Sequence, residues 1–96
     1  MGLLKQNDMK TFKDLEFKKH PLHVDGIISR IAFDNGYGAS VVKHEYSYGG
    51  KDGLYELAVL DSNGEIHYDN PVAQGDVVGY LREEDVTDAM LLIQKF

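Results

Sequence analysis

Gly53-Leu54-Tyr55-Glu56-Leu57-Ala58-Val59-Leu60 is the most apolar run in the chain, and its length and residue types are those of a strand. With side chains alternating, Tyr55, Leu57 and Val59 point one way and Leu54, Ala58 and Leu60 the other, and Glu56 is the only charge. A strand that is apolar on both faces has to be covered on both, which places this one in the interior of a sheet.

Two further strands precede it. Gly26–Phe33 sets Ile27, Ile31 and Phe33 beside Ser29 on one face, and Ile28, Arg30 and Ala32 on the other. Asp34-Asn35-Gly36-Tyr37-Gly38 follows, and Asn-Gly is a strong hairpin signal because both residues accept positive φ at low cost. Ala39–Tyr46 returns as the second strand, and the Gly-rich Ser47–Gly53 stretch is a loop. After the central run, Ser62-Asn63-Gly64 makes a second tight turn into a short fourth strand, Glu65–Asp69, with Ile66 and Tyr68 inward. Successive hairpins of this kind make an antiparallel meander.

The flanks are read from their punctuation. Pro21 pushes His20 toward an extended conformation, so 18–25 is expected to be a loop. Thr11 can cap a short helical turn, and one of Phe12, Leu15 or Phe17 should anchor the N-terminal arm on the sheet. Asn70-Pro71 ends the sheet, and Asp76 can cap a short turn through Val77, Val78, Tyr80 and Leu81. From Arg82 the pattern turns helical, with Val86, Ala89, Met90, Ile93 and Phe96 at spacings of three and four. Glu83, Glu84 and Asp85 in the first turn and Lys95 in the last suit the helix dipole. The expected fold is α+β: a four-stranded antiparallel sheet of two hairpins, meander-like, with a C-terminal helix packed on one face. Residues 1–10 read as a flexible leader, with Met9 an alternative start, and 11–96 as a single domain.

Composition narrows the function. The 96 residues include no cysteine, which removes disulfides, thiol catalysis and Cys-type zinc sites. Net charge is −6, with five lysines against three carboxylates in residues 1–23 and five basic against thirteen acidic residues in the remainder. A body this acidic repels phosphate backbones, so nucleic acid is not an expected partner. No apolar run approaches a membrane span, and the N-terminus has no signal-peptide core. A cytoplasmic setting without a membrane partner is expected.

Several segments, Asn35-Gly36-Tyr37-Gly38-Ala39-Ser40-Val41-Val42, Ser47-Tyr48-Gly49-Gly50, Leu54–Leu60, Tyr68-Asp69 and Val78–Val86, resemble landmarks of small, acidic proteins encoded by tailed bacteriophages and prophages. The resemblance runs from about Phe12 to Ile93 and implies a genomic setting in a bacterial host, without an activity. Arg82 departs from the pattern, since a Ser or Thr helix cap is expected there.

Each motif of chemistry falls short. His20-Pro-Leu-His23 has metal-like spacing, but the pair is bound by proline in a loop and nothing in the sequence converges His44 and His67 on it. No metal and no cofactor are therefore expected. Asp61-Ser-Asn63-Gly-Glu65 lacks the Gly and Glu positions of a calcium loop. Gly36-Tyr-Gly38 has Val41 where a dinucleotide fingerprint needs its third glycine, and Gly50-Lys51-Asp52 lacks the frame of a phosphate loop. Gly38-Ala-Ser40-Val-Val42 lacks the second glycine of a nucleophile elbow. No enzyme is expected.

The tyrosines carry more. Six occur in 96 residues, and Tyr37 and Tyr48 fall in Gly-rich loops, the composition of recognition surfaces. If those loops share an end of the sheet, Tyr37 and Tyr48 with Asp34, Glu45 and Asp52 form one acid-rimmed patch fit for a basic surface on a host protein. The alternatives are a small-molecule binder and a structural subunit that forms a homodimer through a sheet edge.

Overall fold

A computed structural model describes residues 9–96; the N-terminal part of the expected leader lies outside the described residues. One five-stranded antiparallel sheet in the order β1 (Lys18–Lys19), β2 (Ile27–Ala32), β3 (Gly38–Lys43), β4 (Tyr55–Leu60) and β5 (Val78–Leu81) is followed by helix α1 (Glu83–Ile93). The fold is thus α+β with an antiparallel sheet and a C-terminal helix, and has five strands rather than four.

β4 is the apolar run and lies between β3 and β5. Its register with β3 sets Ala39 opposite Val59 and Val41 opposite Leu57. Those four side chains are completely shielded from solvent, and Val86, Met90 and Ile93 of α1 close over them. Full burial of a side chain such as Leu57 is worth about 1.5–3 kcal/mol. The arm completes this layer: Leu15 is buried, and the rings of Phe12 and Phe17 lie 5.2 and 5.6 Å from that of Tyr55. The arm is held at its start as well, because the Lys10 N–H donates to the Gln94 side chain and the Lys10 carbonyl accepts from it, both at 2.8 Å.

The strand expected at Glu65–Asp69 does not form. Its turn does, with Gly64 at φ +78° and the Asp61 carboxylate accepting from the Asn63 and Glu65 amides. The Asp61 N–H closes the turn on the Glu65 carbonyl at 2.7 Å, and past it the pairing stops at a bridge, Leu60 to Ile66, and a bond from the His67 N–H to the Val59 carbonyl. Ile66 and Tyr68 are exposed, and Asp69 takes φ +58°. The chain then tucks Ala73 into the core, and β5 takes the edge beside β4. β5 lies where the sequence reads as a capped turn, and β1 lies in the span read as a loop. Both are short edge strands, held by pairing with a neighbour more than by their own pattern.

At the β2–β3 turn only Gly36 takes positive φ (+94°). The Gly36 N–H donates to the Phe33 carbonyl and the Phe33 N–H to the Tyr37 carbonyl, a three-residue hairpin rather than the two-residue form. α1 ends at Ile93, so Lys95 lies beyond it. At its start Arg82 has no acceptor to offer, but the Asp85 carboxylate accepts from the Arg82 N–H at 3.0 Å and from its Nε at 3.2 Å. Half of a capping box thus stands in for the missing Ser or Thr.

Candidate functional site

The antiparallel order puts the β1–β2 loop (20–26), the β3–β4 loop (44–54) and the end of β5 at one end of the sheet, and the β2–β3 hairpin at the other. The proposed patch therefore divides. Tyr48, Glu45 and Asp52 share the first end, while Tyr37 and Asp34 sit at the second. Tyr37 is half-buried, edge-on to His67 at 5.4 Å and to Phe96 at 5.2 Å. It is a packing residue of the hairpin.

At the first end two tyrosines outside the expected set join Tyr48. Tyr46, Tyr48 and Tyr80 are 75%, 60% and 61% exposed, and Leu22 and Val24 in the β1–β2 loop are 81% and 83% exposed. Tyr80 owes its place to an irregularity: Leu57 pairs with Val78 and Tyr55 with Leu81, so Gly79 and Tyr80 together face Glu56. Two residues opposite one is a β-bulge, a device that re-aims a side chain. Tyr80 adopts φ +58° there, a conformation that costs a non-glycine residue about 1–3 kcal/mol. The neighbouring glycines let the loop close on the bulge, since a Cβ on Gly79 would clash with the Tyr48 Cβ and one on Gly49 would meet the Tyr80 Cα at 2.9 Å. The Tyr80 N–H donates to the Tyr48 carbonyl at 3.0 Å, and the Tyr48 N–H to the Glu56 carboxylate at 2.8 Å. The two exposed rings are thus borne on backbone that is pinned.

Beside them three histidines converge. His20 follows β1 and pairs back to Gly26 through its N–H on the Gly26 carbonyl at 2.8 Å. The β2–β3 register, continued one step past Ile27 opposite Lys43, sets His44 against Gly26 from the other side. His23 opens the turn that closes on Gly26, with Asp25 at φ +63°. Gly26 is the floor of the cluster, because a Cβ there would lie 2.8 Å from the His44 Cβ and 3.1 Å from those of His20 and His23. One ring nitrogen of each histidine lies within 4.8 Å of the other two. The His23 and His44 rings are stacked at 3.8 Å and 8°, and Tyr46 lies 5.8 Å from His23. Burial holds the His44 imidazole below its ordinary pKa, the adjacent His23 and His20 press it the same way, and Glu56 opposes them. His67 is at the other end against Tyr37.

The sequence offered only part of a signal for this convergence. The three-residue loop 34–36 sets Gly26 opposite His44, whereas a two-residue turn at Asn35-Gly36 would set Glu45 there, and Gly26 is the residue that closes the His20–His23 loop. Nothing comparable announced Tyr80, whose exposure follows from the bulge.

No helix among the described residues is long and apolar enough to cross a membrane. Comparison with family models, with curated proteins and with solved structures gives no match to this chain.

Proposed function

We propose that this protein is a non-catalytic binding module that docks a partner protein through the end of the sheet bearing Tyr46, Tyr48 and Tyr80. One observation carries the reading: five large apolar side chains, these three with Leu22 and Val24, stand exposed at a single end, where ordinary monomers seldom gather so many. Tyrosine suits such a surface because it brings a large area with few rotamers to freeze. The exposed carboxylates of Asp25, Glu45 and Asp52 beside it favour a partner with a basic rim. A factor of a bacterial host fits the phage-like features of the sequence. The backbone strain at Tyr80 supports the same reading, since a glycine would relieve it and a tyrosine there has a use to justify it.

The test is affinity capture from bacterial lysate with the wild-type chain, a Tyr48→Ala/Tyr80→Ala variant and an Asp34→Ala variant as a control from the far end. The reading expects proteins retained by the wild type and by Asp34→Ala to be lost from the double variant. Equal retention by all three would sink it.

A second reading rests on the opposite edge. β1 pairs only with Ile27 and Ile28, so the outer edge of β2 from Ser29 to Ala32 has no strand beside it among the described residues. A second copy can pair there, and mass that rises with concentration in light scattering is the result this reading requires.

A further inference from the structure

We propose that His20, His23 and His44 form a binding site for a divalent transition-metal ion, with zinc the best fit. The proposal stands on the histidine geometry, independently of the tyrosine surface.

The donor set decides the class of ion. Three imidazoles without a carboxylate among them suit zinc, copper, nickel or cobalt, whereas calcium and magnesium require oxygen ligands. Zinc commonly takes three protein nitrogens and keeps a fourth position open for water. Here the ligands come from two separate segments, the β1–β2 loop and the end of β3, so one ion would tie both to the sheet. The floor is built for close approach: only a residue without a side chain fits at Gly26 beneath all three Cβ atoms. A metal ion held here requires each ring in its neutral form.

The metal-free arrangement also dictates what must move. Tetrahedral bonds of about 2.0–2.1 Å put ligand nitrogens roughly 3.3–3.4 Å apart, the spacing that nitrogens lying within 4.8 Å of one another would adopt around an ion. The parallel stack of His23 on His44 has to open so that both rings aim at one point. Nδ1 of His20 accepts from the Leu22 N–H and Nδ1 of His44 from the Tyr46 N–H, each at 3.1 Å. A neutral ring that accepts at Nδ1 carries its proton on Nε2. Ligation through Nε2 therefore shifts that proton to Nδ1 and releases the two amides, with no net loss of protons. Leu22 and Tyr46 are exposed, so water takes over as acceptor.

Calorimetric titration of the metal-free chain with zinc chloride tests the proposal, with magnesium chloride as a second titrant. One zinc per chain is expected, with affinity lowered at least about tenfold in His23→Ala and in His44→Asn, since losing a ligand costs no less than losing a residue that orients one. His67→Ala should bind as the wild type does, and magnesium should give no heat of binding. In nitrogen-15 spectra zinc should shift the Leu22 and Tyr46 amides and move the His20 and His44 rings to the Nδ1–H tautomer, a readout independent of whether any variant folds. A wild-type chain that takes up no zinc, or variants at His23 and His44 that bind as tightly as the wild type, would overturn it.

Discussion

The two ends of the sheet are made from similar sequence and finish differently. Asn35-Gly36-Tyr37-Gly38 turns one end and Tyr46-Ser47-Tyr48-Gly49-Gly50 the other. At the first, the C-terminal end of α1 arrives with the Ile93 carbonyl and, just beyond it, Phe96. The Asn35 amide donates to the Ile93 carbonyl at 2.9 Å, its oxygen accepts from the Tyr37 N–H, and Tyr37 packs between Phe96 and His67. At the second, α1 starts with Arg82, Glu83 and Glu84, all exposed and charged, and offers no apolar cover. Tyr46, Tyr48 and Tyr80 remain in solvent. A glycine-flanked tyrosine in a loop is therefore a docking candidate only where the neighbouring helix end leaves it uncovered.

The sharpest way to break this contrast is to remove one tyrosine from each end. Tyr37→Ala takes away a half-buried ring with two aromatic partners and should lower stability by about 1–3 kcal/mol. Tyr48→Ala takes away an exposed ring and should stay within about 0.5 kcal/mol of the wild type. Urea unfolding of the two variants under the same conditions checks both, and equal losses would erase the distinction.

A smaller effect concerns the helix start at the open end. The Arg82 N–H and guanidinium hold the Asp85 carboxyl below its ordinary pKa of 3.8. A carboxyl whose folded pKa is depressed adds stability that is fully present above 3.8 and lost as pH falls through the lower folded value. Asp85→Asn should lower the melting temperature at pH 7, and the gap to the wild type should shrink on acidification below pH 3.8. A gap that stayed constant down to low pH would show that the charge is irrelevant to the cap.

The parts of the fold legible in the sequence were those with strong patterns. The doubly apolar 53–60 run announced an interior strand, the Asn-Gly turns announced two changes of direction, and the three-and-four spacing of Val86, Ala89, Met90 and Ile93 announced the helix. The errors fell where pattern is weak and tertiary pairing decides. Glu65–Asp69 alternates like a strand, yet the chain leaves the sheet there and Val78–Leu81 takes the edge. Lys18–Lys19 is polar and pairs only because β2 lies beside it. For the site, residue type was informative and placement was not. The flanking glycines mark Tyr48 in the sequence, but the end that gathers Tyr46 and Tyr80 with it, and separates Tyr37 from it, depends on strand order. The histidines needed the register across Gly26, which links positions 24 residues apart, His20 and His44.

Tyrosine footprinting under brief, limited nitration, read residue by residue through peptide mass spectrometry, tests the division between the ends most directly. The account predicts rapid modification of Tyr46, Tyr48 and Tyr80, with Tyr68 also reactive on its exposed loop, and slow modification of Tyr37 and the buried Tyr55. Tyr37 reacting as fast as Tyr48, or Tyr48 and Tyr80 both protected in the free chain, would contradict it.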